Sequence, residues 1–196
     1  MIDVGRHARS VAPLIAFVAS LWAAHVFNIA LQGALTERFG LIPRRIDGLD
    51  GILAMPFLHG DWAHLSANTP PLLVLGGLII LLAPDRFWTA TLLGVLLGGA
   101  LTWLFARHNN HIGASGLIFA WFGFLVALGV LERSARALIG AGVAVFFYGA
   151  PTLLGLAPED SRISWDGHLA GLAAGVVAAW ALHRPPRRAP EPWDAN

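Results

Sequence analysis

Residues 113–133 read GASGLIFAWFGFLVALGVLER, with no charged side chain from Gly113 to Leu131. A transmembrane helix needs roughly 20 predominantly apolar residues, and this run is of that size. Working outward from it, the pattern predicts spans at about 11–35, 62–82, 88–106, 114–131, 135–155 and 166–183. The breaks are polar or proline-bearing: Pro84-Asp85-Arg86, Arg107-His108-Asn109-Asn110, Glu132-Arg133-Ser134, the segment 158–162, and Pro185-Pro186. Arg6 and Arg9 ahead of an apolar run would suit a secretory leader. The run is too long for one, however, and carries Trp22, His25, Asn28 and Gln32, so it is read as a helix. The expected organisation is an N-terminal segment over 1–10, an all-α membrane domain of six transmembrane helices over 11–183, and a disordered tail over 184–196.

Composition agrees with that reading. Of 196 residues, 56% are hydrophobic and 13% charged, against ~25% charged in soluble domains; the mean hydropathy is +0.64. Disorder of the whole chain is excluded, because it requires low hydrophobicity and many charges. A net charge of +1 without a basic block argues against a nucleic-acid partner. The chain has no Cys, which removes disulfides, thiol nucleophiles and thiolate metal sites. All 13 basic residues are Arg, so lysine chemistry is closed as well. The all-Arg, Ala- and Gly-rich composition points to a bacterial source of high genomic GC.

Arginine placement orients the spans. With the N-terminus inside, eight of the 13 Arg fall on inner segments (Arg6, Arg9, Arg86, Arg133, Arg136, Arg184, Arg187, Arg188). Both termini are therefore expected in the cytoplasm of a multi-pass cell-membrane protein. In that topology spans two, four and six begin at the outer face, and their opening turns hold His64 and Asn68, Ser115, and His168. Polar groups inside a membrane are costly and face the protein interior, so these four are functional candidates.

Each has two readings. Ser115, in Gly113-Ala114-Ser115-Gly116, is either a helix cap or small-residue packing, or else a nucleophile beside free N–H groups and the positive helix end, which stabilise an oxyanion. His168 shares a face with Gly167, Gly171 and Gly175, a stripe that admits close helix approach. It is either an inter-helix hydrogen bonder or the base that activates Ser115. Asp166 points to another side of that helix, so no carboxylate completes a triad. His64 and Asn68, four apart, share a face and can donate hydrogen bonds to an oxyanion; the Pro70-Pro71 pair directly after them is expected to kink the span. His25, Asn28 and Gln32 form a polar stripe on the first span, for inter-helix hydrogen bonding or a substrate path. His59, His64, His108 and His111 are irregularly spaced and lack acidic partners, so neither a metal nor another cofactor is expected.

The set His64-x-x-x-Asn68, Gly113-x-Ser115-Gly116 and Gly167-His168-x-x-Gly171-x-x-x-Gly175 resembles the rhomboid family of intramembrane serine proteases. The similarity covers about residues 55 to 183. It implies a rhomboid-like bundle with Ser115 as nucleophile and His168 as general base, and with His64, Asn68 and the Ser115 amide at the oxyanion. Gly113, Gly116, Phe119 and Gly171 would support them, and His59 matches a structural histidine. Substrates would be transmembrane proteins, cut in or near a membrane-spanning segment within the lipid bilayer; no oligomeric state is implied. A loop at about 156–165 would cover the site, and the fifth helix could move aside to admit substrate. Asp50-Gly51 stands about where the family has a Trp-Arg pair, Phe119 where Tyr is usual, and Gly167 where Ala is common. Two other readings stay open: a rhomboid-like protein that binds transmembrane helices without cleaving them, and a small transporter.

Overall fold

A computed structural model describes residues 4–158 and 164–184, with side chains from residue 11 onward. Segments 159–163 and 185–196, on which the expected covering loop and the expected disordered tail fall, lie outside the described residues. The long elements are α1 (Val4–Ala30), α4 (Trp62–Leu82), α5 (Phe87–Phe105), α6 (Ser115–Glu132), α7 (Ala135–Gly155) and α8 (Trp165–Leu182). Between α1 and α4 lie the short helices α2 (Ala34–Phe39) and α3 (Gly51–Ala54). Among the described residues there is no strand, only an isolated antiparallel bridge between Leu41 and His111.

Among the described residues, five helices are long and apolar enough to cross a membrane: Val11–Ala30 within α1, α4, Pro84–Phe105 around α5, α6 and α7. At 18 residues α8 is as long as α6, but its first turn carries Asp166 and His168, and its hydropathy falls short of theirs. The first helix differs from its expected limits of 11–35. It is already helical at Val4, with no break at residue 11, and it ends at Ala30. Gln32 and Gly33 take left-handed φ of 55° and 90°, turning the chain. The Asn28 side chain then seizes the next helix, its Oδ1 accepting from the Leu35 and Thr36 N–H groups and its Nδ2 donating to Thr36 Oγ1. α4 runs from Trp62 to Leu82 with Pro70 and Pro71 inside it.

α6 is the hub. Of its span 56% is buried, against 22% for α7, which lies at the periphery. Trp121 of α6 is fully buried, and its Nε1 donates to Thr91 Oγ1 of α5 at 3.1 Å. On another face α8 presses backbone to backbone: a Cβ on Gly171 would overlap the Gly116 carbonyl, and one on Gly175 the Ala120 carbonyl. The glycine stripe works as the spacing implied, with His168 on the contact face. At the far end, the buried Arg86 guanidinium meets Glu132 Oε1 at 2.6 Å, and the same oxygen accepts from the Arg184 N–H at 2.7 Å. One carboxylate thus registers the ends of α5, α6 and α8.

At the end of the bundle that carries Ser115, segment 31–58 is pinned although it lacks a Trp-Arg pair. Leu41 and His111 exchange both backbone hydrogen bonds, at 3.0 and 2.8 Å. The Arg44 guanidinium donates to the Ala106 and Leu104 carbonyls at the C-terminus of α5, where a cation also meets the negative end of the helix dipole. Trp103 Nε1 donates to the Arg45 carbonyl, and Asp50 pairs with Arg38 at 2.8 Å.

Because no space remains between α6 and α8, Gly175→Ala is expected to destabilise the protein by about 1–3 kcal/mol, seen as a lower melting temperature in detergent. Gly142, which has nothing within 4 Å of a would-be Cβ, is the control: Gly142→Ala should leave the melting temperature unchanged or slightly raised.

Candidate active site

α6 begins at Ser115, but its cap position is Ala114, with no side-chain capping bond. The cap reading of Ser115 therefore does not describe it. Its Oγ lies 2.8 Å from His168 Nε2, across 53 residues of chain. The other imidazole nitrogen, Nδ1, is 2.8 Å from the carbonyl oxygen of Gly155, the last residue of α7. A carbonyl only accepts, so Nδ1 carries the proton in that contact. Nε2 of the neutral ring is then an acceptor, and the Ser115 hydroxyl donates to it. This is the tautomer a general base needs. Phe119, one turn after Ser115, stacks on the His168 ring with centroids 4.2 Å apart and planes at 14°. A Cβ on Gly155 would stand 2.7 Å from Phe119 Cζ and 3.2 Å from His168 Nδ1.

As expected, Asp166 takes no part in that pair. Its oxygens accept from the backbone N–H and Nε of Arg107, at 2.7 and 3.1 Å, and from the Gly167 N–H. The orienting third group is instead a main-chain carbonyl. No side-chain pattern announces a carbonyl, so Gly155 carries no signal legible in the sequence.

Gly113 explains how His64 and Asn68 join the site. Its φ of +109° is strained for any side chain. A Cβ there would also lie 2.6 Å from His64 Nε2 and 3.6 Å from Asn68 Nδ2. Both donors therefore converge on the backbone two residues before Ser115. The Gly113 N–H is tied to the Met55 carbonyl at 2.9 Å, holding the turn in place. Gly116 behaves differently: a Cβ there would make only ordinary contacts at 3.7 Å, and its role is to present its carbonyl to Gly171.

Asn68 Nδ2 donates to the Nε2 of buried His59 at 3.1 Å. An amide nitrogen has two hydrogens, so one remains for a ligand. Burial above all, with the nearby His64, pushes His59 down to about 4, so it stays a neutral acceptor. Sequence reasoning read His59 as structural; the structure gives it a task, that of holding Asn68.

His64, Asn68, Ser115 and His168 open into one cavity of about 640 Å³, whose apolar wall includes Ile118, Phe119, Tyr148 and Pro151. The arrangement offers a hydroxyl poised on a base, helix N-terminal N–H groups without intrahelical partners, and two side-chain donors. It can run nucleophilic acyl transfer. Of the first-span stripe, Asn28 caps α2, Gln32 sits in the turn, and His25 is buried edge-on to Trp62 at 4.5 Å. Among the described residues no three His, Asp or Glu groups are placed to hold a metal ion.

A family model described as the Rhomboid domain matches residues 49–185. An uncharacterized protein of Mycobacterium tuberculosis is 42% identical over 185 residues, covering 90% of this chain and 76% of the relative. An uncharacterized protein of Mycobacterium leprae is 40% identical over 184 residues, covering 89% and 72%. The Rhomboid-like protein 11, chloroplastic, of Arabidopsis thaliana is 28% identical over 150 residues, covering 66% and 51%.

The depressed His59 gives a pH test. Between about 4, its folded value, and the ordinary 6.5, the unfolded chain binds a proton that the folded one refuses. Stability should therefore fall as pH drops from 6.5 toward 4, by up to roughly 3 kcal/mol. In thermal unfolding across this window, His59→Gln should lose that part of the slope.

Proposed function

The chain belongs to the rhomboid family, and on that premise we propose that it is an intramembrane serine endopeptidase working through a Ser115–His168 dyad. The observation that carries the reading is the 2.8 Å contact between Ser115 Oγ and His168 Nε2, with Nδ1 held by the Gly155 carbonyl. A substrate carbonyl placed over Ser115 is attacked by Oγ while its proton passes to His168 Nε2. The oxyanion is met by the Ser115 N–H, His64 and the second N–H of Asn68. Collapse of the tetrahedral adduct sends the Nε2 proton to the leaving amine and leaves an acyl-enzyme. Water, activated by the same imidazole, then returns the serine and releases the new carboxylate.

Substrates in this reading are membrane proteins cut in or near a transmembrane segment. The apolar wall of Ile118, Phe119, Tyr148 and Pro151 beside the nucleophile suits an apolar peptide, and α7, the peripheral helix, is the one that can yield to admit it. The bundle spans residues 11–183 with six crossings. α8 makes the sixth: its polar opening turn faces protein, where His168 is buried and Asp166 is bonded, so those groups do not meet lipid. Arginine placement puts both termini in the cytoplasm and the dyad toward the outer face.

Ser115→Ala and His168→Ala should each abolish cleavage of a model transmembrane substrate in liposomes while the protein still inserts. A serine-reactive fluorophosphonate should label Ser115 of the wild type; a member that only binds helices gives neither result. Gly155→Ala, which crowds Phe119 and the imidazole, should lower kcat by at least about tenfold, measured with the same substrate.

A further inference from the structure

Resting on the dyad reading, we infer that Asp166 is a positioning residue: it clasps the segment that delivers Ser115 to the helix start that carries His168. The two reacting groups sit on different rigid helices, and the contact between those helices is made of glycine and carbonyl. Gly171 against Gly116 and Gly175 against Ala120 set how close α8 comes to α6. Side chains also cross this contact, with Leu172 of α8 over Gly123 and Phe119 of α6 stacked on His168. Two polar stops hold the ends of the pair against axial movement. At the far end Glu132 of α6 accepts from the Arg184 N–H just beyond α8. At the site end the stop is Asp166.

Asp166 lies two residues before His168, with its side chain only 9% exposed. Oδ2 accepts from both the backbone N–H and Nε of Arg107, 59 residues away, and Oδ1 accepts from the Gly167 N–H at 3.1 Å. A first-turn acidic residue that served only the α8 dipole would need the last of these alone. A second strand of the same clasp runs through His111. Its Nε2 donates to the Arg107 carbonyl at 3.0 Å, leaving Nδ1 to accept from Ser164 Oγ at 2.5 Å. Segment 107–111, which leads into Ser115, is thus stitched to segment 164–167, which leads into His168. The carboxylate touches neither reacting atom; its bonds go to Arg107 and the Gly167 N–H.

The test is the rate of fluorophosphonate labelling at Ser115, with kcat and KM for a transmembrane peptide, normalised to folded protein by melting in detergent. Asp166→Ala is expected to slow labelling and lower kcat by roughly 10- to 100-fold, with KM within about twofold. Asp166→Asn keeps an acceptor for the Arg107 backbone N–H and should fall between Asp166→Ala and wild type. Wild-type labelling rates in Asp166→Ala overturn the inference, as does a loss that follows only the unfolded fraction. If Asp166→Ala does not fold, Asp166→Asn decides, and a wild-type rate per folded molecule overturns it. Absence of labelling in the wild type itself would count against the protease reading, which separates the two failures.

Discussion

The structure depends on the backbone contact between α6 and α8. Gly171 and Gly175 bring α8 onto the carbonyls of Gly116 and Ala120, and only at that separation do the first turns of the two helices share a hydrogen bond. Without a strong hydrophobic drive between helices in lipid, close van der Waals contact is the available attraction. Polar residues join the two ends of the helix pair: Glu132 at one end, Asp166 and His111 at the other.

An unmet donor or acceptor is expensive inside an apolar bundle, so the polar groups of the site gain from having partners. His168 is satisfied on both sides, by Gly155 and by Ser115. Asn68 is held by His59, which burial keeps neutral and therefore able to accept. The donors that face the cavity are those that the proposed reaction would use.

The same candidate site draws on the least buried of the five membrane-length helices. α7 contributes the carbonyl that sets the imidazole tautomer, although of those five it has the smallest share of its span inside the protein. The residues closest to this carbonyl are themselves constrained: Gly155 has no room for a side chain against Phe119.

Span positions, the glycine stripe and the four candidate site residues were legible in the sequence, because hydrophobic runs and misplaced polar groups are local signals that lipid makes sharp. Five of the six expected spans begin and end within one residue of α4, α5, α6, α7 and α8. The first helix was misjudged because an Asn side chain, reaching forward to cap α2, overrode an apolar pattern that continued past Ala30. The partners of the site residues were not legible at all. Gly155, Asp166 with Arg107, and His59 with Asn68 act through a carbonyl, a clasp 59 residues apart and a buried acceptor. The sequence determined which groups could react, since side-chain chemistry is written residue by residue. Only the tertiary structure decided which nitrogen of His168 faces Ser115, since that follows from a main-chain oxygen whose position exists only after the helices pack.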